Sequence, residues 1–190
     1  MKIFFPYEIR GKENIEKLPE GYIMCLNHLS AWDPLFIIAN HPHSIYFMAK
    51  AEIFRNKLLG YIISKLGVFA VERGKGDKQA INRATEICSS GKNLGIFIEG
   101  TRSKTGEFLR PRSGAALLAI NTKTDVLPVC ITGTSKDNKV RIFKKTIISY
   151  GKVLKAKEHF SNNESRGALK DSTNLIMESI KELRGNDIES

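Results

Sequence analysis

The chain has 190 residues, 42% of them hydrophobic and 26% charged, figures that suit one folded domain with a single core and exclude a disordered chain. Lys and Arg number 30 against 20 acids, a formal charge of +10, so an anionic partner is favoured: nucleic acid, an acidic bilayer or phosphorylated small molecules. Cys25, Cys88 and Cys130 lie far apart in apolar runs without metal-ligand spacing, which argues against a disulfide framework or zinc site.

In chain order, the opening Met1 to Pro6 is too short for a signal-peptide core, and the first strand is expected only after about 20 residues. Strands are predicted at Tyr22–Leu26, Ser44–Met48, Val68–Val71, Leu94–Ile98, Val126–Ile131 and Ile142–Tyr150. Several are apolar throughout, as strands covered on both faces should be. Between them, Ala80, Ile81, Ala84, Ile87 and Cys88 trace one helical face stopped by Gly91, and Ala115 to Ile120 reads as a buried helix. Towards the end, Ser161 and Glu164 have capping-box spacing ahead of an apolar stripe at Leu169, Ile176, Ile180 and Leu183, with Gly185 closing the helix. Alternating strands and helices predict an α/β domain: a mostly parallel or mixed central sheet flanked by helices. No stretch reaches the ~18 apolar residues a membrane-spanning helix needs. A cytoplasmic protein that lies on a membrane rather than crossing it is expected.

Four segments could carry chemistry. Asn27-His28-Leu29-Ser30-Ala31-Trp32-Asp33-Pro34 follows a strand and has the form of a helix start, with Asp33 as N-cap and Pro34 first in the helix. His28 and Asp33 then stand at the two ends of a tight turn. A histidine held by a carboxylate on one ring nitrogen can take a proton at the other; the plain alternative is a helix cap beside a satisfied turn histidine. No Gly-x-Ser-x-Gly elbow is present, so a hydroxyl activated by His28 would belong to the substrate.

The second segment, Gly67 to Arg73, is an apolar strand that delivers an arginine suited to a bidentate grip on phosphate. From this segment alone, a solvated surface charge after a strand is the plainer reading. The third, Ile96-Phe97-Ile98-Glu99-Gly100-Thr101-Arg102-Ser103, runs from a strand into a glycine turn rich in donors, the place where α/β sheets put ligands. Glu99 would repel phosphate and is expected to hold a hydroxyl or position Arg102. The fourth, Val126-Leu127-Pro128-Val129, is a strand broken by proline, which predicts an edge or bulge position and could line an apolar channel.

Taken in order, these segments resemble the glycerophosphate acyltransferases that make phosphatidic acid. The family pattern Asn-His-x4-Asp matches at Asn27, His28 and Asp33; the second block ends at Arg73; the third matches from Glu99 to Ser103; the fourth matches from Leu127 to Val129. Ile98 stands where the third block usually has proline, and Leu127 replaces the first valine of the fourth. The resemblance covers roughly residues 20–132. It implies a single acyltransferase domain over 1–190, with the motif-bearing core followed by a basic strand region and a C-terminal helix over about 140–184.

What the resemblance implies is acyl transfer from a thioester to the free hydroxyl of 1-acylglycerol 3-phosphate, giving phosphatidic acid. His28 is then the general base and Asp33 its orienter. Asn27, Arg73, Glu99, Gly100, Thr101 and Arg102 form the substrate site, and Lys50, similar to a recurring basic position in the family, joins them. Neither metal nor organic cofactor is implied; acyl-CoA or acyl-carrier protein is the cosubstrate. The same blocks would serve a lyso-ornithine lipid or glycerol 3-phosphate as acceptor; intact His28, Asp33, Glu99 and Arg102 argue against a silent relative kept for lipid binding. Apolar clusters and lysines alternate over residues 34–66, which suggests contact with the anionic inner face of the cell membrane. The basic stretch Arg141 to Lys145, continuing to Lys152, Lys155 and Lys157, would suit a nucleic-acid module. No helix-turn-helix, RRM or KH pattern accompanies it, so no nucleic-acid partner is expected.

Overall fold

The computed structural model describes residues 6–71, 77–133, 145–160 and 166–188. Its centre is one seven-stranded sheet of β1 (Tyr7–Arg10), β2 (Tyr22–Leu26), β3 (Ile45–Lys50), β4 (Val68–Val71), β5 (Asn93–Phe97), β6 (Asp125–Thr132) and β7 (Thr146–Tyr150), in the order β1-β7-β6-β2-β5-β3-β4. β2 pairs in parallel with β5 and β6, and β3 with β4 and β5. β7 runs antiparallel to β6 and carries β1 alongside it in parallel, so the sheet is mixed.

The helices α1 (Asp33–Asn40), α2 (Lys57–Lys65), α3 (Asp77–Ser89), α4 (Gly114–Thr122), α5 (Ala156–His159) and α6 (Arg166–Ile188) cover both faces. On one face α3, α4 and α6 bury Ala84, Ile87, Leu118, Ile176 and Ile180 against Ile23, Cys25 and Leu94. On the other, Ile37 of α1, Ile63 of α2 and Phe54 of the preceding 3-10 turn pack with Met24, Leu26, Phe47 and Val129. β2 is buried at every position because it lies between both layers, which is why its sequence has no polar alternation. The three cysteines are free and buried; burial pushes the Cys88 thiol up to about 11 and those of Cys25 and Cys130 higher still.

Four expectations need correction. The chain's first strand is β1, a short edge element, not the strand at Tyr22. Asp33 is the first helical residue rather than the N-cap, which is Trp32, and its carboxylate turns back into the preceding turn. Pro128 is interior, between β2 and β7. Its missing N–H falls where β7 has ended: Val129 pairs with Tyr150, the next bridge is Val126 with Leu154, and Gly151 N donates to Pro128 O at 2.9 Å. Gly185 does not close α6, which runs on to Ile188 because Asp187 accepts from Ser149 Oγ at 2.7 Å and pairs with Arg10. Ser161, Glu164 and the segment Arg141–Lys144 lie outside the described residues, and the last strand begins at Thr146.

Candidate active site

The parallel strands β2, β3, β4 and β5 end on the same side of the sheet, and their C-terminal ends open a cavity of about 1040 Å³. The turn after β2 brings His28 to its wall. Asp33 Oδ2 accepts from three donors: His28 Nδ1 at 2.9 Å, Leu29 N at 2.7 Å and Ser30 N at 2.8 Å. The carboxylate is fully buried, whereas the His28 side chain keeps 16% of its surface exposed. The ring lies nearly flat on Phe97, with centroids 3.8 Å apart and planes 19° from parallel. With Nδ1 bound to a carboxylate and the ring face held by Phe97, Nε2 is the nitrogen that can accept a proton from the cavity.

The backbone of this turn is held as firmly as the ring. Ile98 N donates to Leu26 O at 2.9 Å and Ser103 N to His28 O at 2.8 Å, stitching the chain after β5 to the chain after β2. Glu99 completes the seam. Its Oε1 accepts from His28 N at 3.2 Å and its Oε2 from Leu109 N at 3.1 Å, so one buried carboxyl clamps the His28 turn to the loop at 104–112. Burial raises the Glu99 pKa, and the two amide donors oppose that shift. Arg184 of α6 holds the same loop by donating to Gly106 O at 2.8 Å and lying over Phe108.

Lys50, Gly100, Thr101 and Arg102 all line the cavity with His28. Asn27 and Glu99 do not. Asn27 is buried, its amide donating to Ile131 O at 2.9 Å and accepting from Ile131 N at 2.8 Å, so it extends the β2–β6 pairing by one side chain. Both residues position the turn instead of facing a ligand, because each side chain is consumed by backbone groups of a neighbouring strand or loop. Pro128 is likewise absent from the cavity wall. Arg73 lies outside the described residues.

Four contributors escaped the sequence reading: Arg110, Arg112, Lys170 and Phe97. Arg112 lies across Gly100, where a Cβ would come within 2.6 Å of its Cδ; Gly100 also has φ +69°, so glycine is required there twice over. A bond from Arg112 N to Ile98 O at 2.8 Å brings it back to the end of β5. Arg110 and Lys170 line the cavity too, and among the described residues no carboxylate pairs with Lys50, Arg110, Arg112 or Lys170. Phe97, read only as a strand residue, is the platform for His28. Gly95 lets the Phe47 ring lie against β5, since a Cβ there would meet that ring at 2.2 Å. Away from these cations the wall is largely apolar, formed by Ala80, Ile81, Ala84, Leu118 and Leu169 of α3, α4 and α6 with Thr173 and Asn174 of α6 among them.

A histidine–carboxylate pair, a cluster of cations and an apolar recess thus share one cavity. A family model described as Acyltransferase matches residues 7–132, two thirds of the chain and every segment just described except α6. The chain belongs to the acyltransferase family. Among curated acyltransferases, it is 33% identical over 125 residues to the 1-acyl-sn-glycerol-3-phosphate acyltransferase of Streptococcus pneumoniae, an overlap of 63% of this chain and 46% of that one. The protein of the same description from Bacillus subtilis is 29% identical over 174 residues, 90% of this chain and 85% of its own. The chain therefore spans about half of the first relative and most of the second. The crystal structure of the 1-acyl-sn-glycerophosphate (LPA) acyltransferase PlsC from Thermotoga maritima shares the fold, with a TM-score of 0.73, 24% identity and coverage of 96% of this chain and 73% of that one. The acyltransferase fold here thus includes β1 and β7, beyond the motif-bearing core.

Proposed function

We propose that this acyltransferase moves a fatty acyl group from acyl-CoA or acyl-carrier protein to the free hydroxyl of 1-acylglycerol 3-phosphate at the surface of an anionic membrane, giving phosphatidic acid. The observation that carries this reading is the His28–Asp33 pair opening onto a cavity walled by Lys50, Arg102 and Arg112. A phosphate gripped by those cations would hold the acceptor with its hydroxyl toward His28. His28 Nε2 takes the hydroxyl proton as the oxygen attacks the thioester carbonyl. The tetrahedral centre collapses, the carbon–sulfur bond breaks, and the thiolate recovers the proton from the imidazolium. Asp33 keeps the ring in one orientation and stabilises its charged form. Thr101 and Gly100 shape the acceptor end, Arg73 is a further candidate cation for the phosphate, and the apolar recess takes an acyl chain. The reaction as written needs neither metal nor organic cofactor.

Thiol release from acyl-CoA and acyl-carrier-protein donors, with and without 1-acylglycerol 3-phosphate, tests the reading. Acceptor-dependent release that yields phosphatidic acid and vanishes in His28→Ala is the expected result. Release that needs a lyso-ornithine lipid or glycerol 3-phosphate instead would move the assignment to that acceptor.

A further inference from the structure

A surface helix ordinarily turns its apolar stripe inward, and α2 turns one outward. Gly60 is its buried residue, seated against the backbone of Phe54 in the preceding 3-10 turn, where a Cβ would sit 3.2 Å from Phe54 Cα. Leu58 (72% exposed), Tyr61 (64%) and Ile62 (48%) face solvent. With Lys65 they stand at i, i+3, i+4 and i+7, one continuous stripe. Leu59 on the same helix and Ile53 on the 3-10 turn Ala51–Arg55 are exposed as well. The stripe has a cation at each end: Lys57 opens the helix, and Lys65 lies with Nζ 5.6 Å from the Tyr61 ring centroid. Arg55 adds a third positive charge. Among the described residues none of the three is in an ion pair.

Apolar side chains flanked by lysines whose long stems can bend toward headgroups are what an interfacial helix requires. A second copy of the chain fits less well, because pairing two such stripes would bring Lys57 and Lys65 against like charges. The surface also continues into the site. Lys50, which opens the 3-10 turn, lines the cavity, as do Ala31 and Pro34 on either side of exposed Trp32. From the outward stripe, its terminal cations and this continuity, we infer that residues 51–66 are the face on which the protein rests against an anionic bilayer, with Lys50 at its border passing lipid substrate into the cavity. The identity of that substrate rests on the function proposed above; the docking face does not. Among the described residues no helix is long and apolar enough to cross a membrane, so this face acts by lying on the bilayer.

Flotation of the full chain with vesicles of phosphatidylglycerol and phosphatidylcholine, against phosphatidylcholine alone, tests the inference. The wild type is expected to float with the anionic vesicles and to be released at high salt. Leu58→Asp/Tyr61→Asp, which changes only exposed side chains, should lower the bound fraction at least about tenfold with an unchanged circular dichroism spectrum. Its thiol release should stay at the wild-type rate with a short-chain, water-soluble acceptor and fall when the acceptor is presented in vesicles. A double variant that floats like the wild type overturns the inference, as does a wild type that ignores anionic vesicles. A solution dimer dissolved by the double variant would also overturn it, assigning the face to self-association. Flotation that depends on Leu58 and Tyr61, in a protein that releases thiol with no acceptor, upholds the docking face and sinks the proposed reaction alone.

Discussion

The sheet holds a histidine at each end, and the two live under opposite conditions. His28, beyond the C-terminal end of β2, gives one nitrogen to the buried Asp33 carboxylate and keeps the other edge on the cavity. His41, at the N-terminal end, has both nitrogens taken by phenols, Nε2 by Tyr22 Oη at 2.5 Å and Nδ1 by Tyr150 Oη at 3.0 Å. His43 approaches the same Tyr22 oxygen at 3.1 Å. Burial, reinforced by His43, lowers the His41 pKa to about 4. The contrast shows what makes a base of an imidazole. A carboxylate partner stabilises the cation that proton transfer creates, and an open edge lets a substrate reach it. Two neutral phenols in a closed site offer neither, so His41 ties the start of β2 to the end of β7 and stays uncharged.

The sharpest way to break this comparison is to remove each ring in turn. His28→Ala should cut kcat/KM by about 10²–10⁴-fold in the thiol-release assay while leaving the melting temperature nearly unchanged, since Asp33 Oδ2 still accepts from Leu29 N and Ser30 N. His41→Ala should do the reverse, costing about 1–3 kcal/mol of stability for the Tyr150 phenol left unpaired and the Tyr22 phenol left with His43 alone, with turnover close to wild type. Turnover lost in a well-folded His41→Ala protein would put a catalytic or gating role at the wrong end of the sheet.

The pH dependence of unfolding probes the same contrast at about 3 kcal/mol. The unfolded chain binds a proton at His41 near pH 6.5, the folded chain only near pH 4. Between those values the unfolded state holds more protons, so stability is complete above about 6.5 and falls as the pH drops toward 4. Urea titrations at pH 7, 5.5 and 4.5 should show this decline, and His41→Gln should remove most of it. An unaltered slope in His41→Gln would assign the proton to another group.

How far these features could be read from the sequence follows from what determines each. Strands β2 and β6 were predictable within a residue or so because burial on both faces leaves their centres apolar, whereas β4, an edge strand with Ala70 exposed, was legible only from its short apolar run. β1 was not: Tyr7-Glu8-Ile9-Arg10 is four half-buried residues, a strand only because β7 offers it a partner. His28 and Asp33 were legible because their contact is local, made inside one turn. Asn27 and Glu99 stood in the right segments but were assigned the wrong direction, because a strand-end side chain is claimed by whatever comes alongside, here Ile131 of β6 and Leu109 of a loop ten residues on. Arg112 could not be told from any loop cation, since a single backbone bond to Ile98 brings it over Gly100.

Glu99 offers the finest test, because its position in the third motif and its geometry predict different kinetics. If its carboxylate held the acceptor, Glu99→Gln would raise the acceptor KM. In the structure both oxygens are occupied by the amides of His28 and Leu109. Glutamine keeps one acceptor and turns an NH₂ group toward the other amide, leaving two donors face to face at a cost of about 1–3 kcal/mol. The strain falls on the turn that aims His28. Glu99→Gln should therefore lower kcat by roughly tenfold with little change in KM, together with that modest loss of stability. Steady-state kinetics alongside urea unfolding separates the cases. A raised KM in a protein of wild-type stability would return Glu99 to the substrate, whereas a fall in kcat with KM unmoved keeps it as the clamp that holds the open histidine in place.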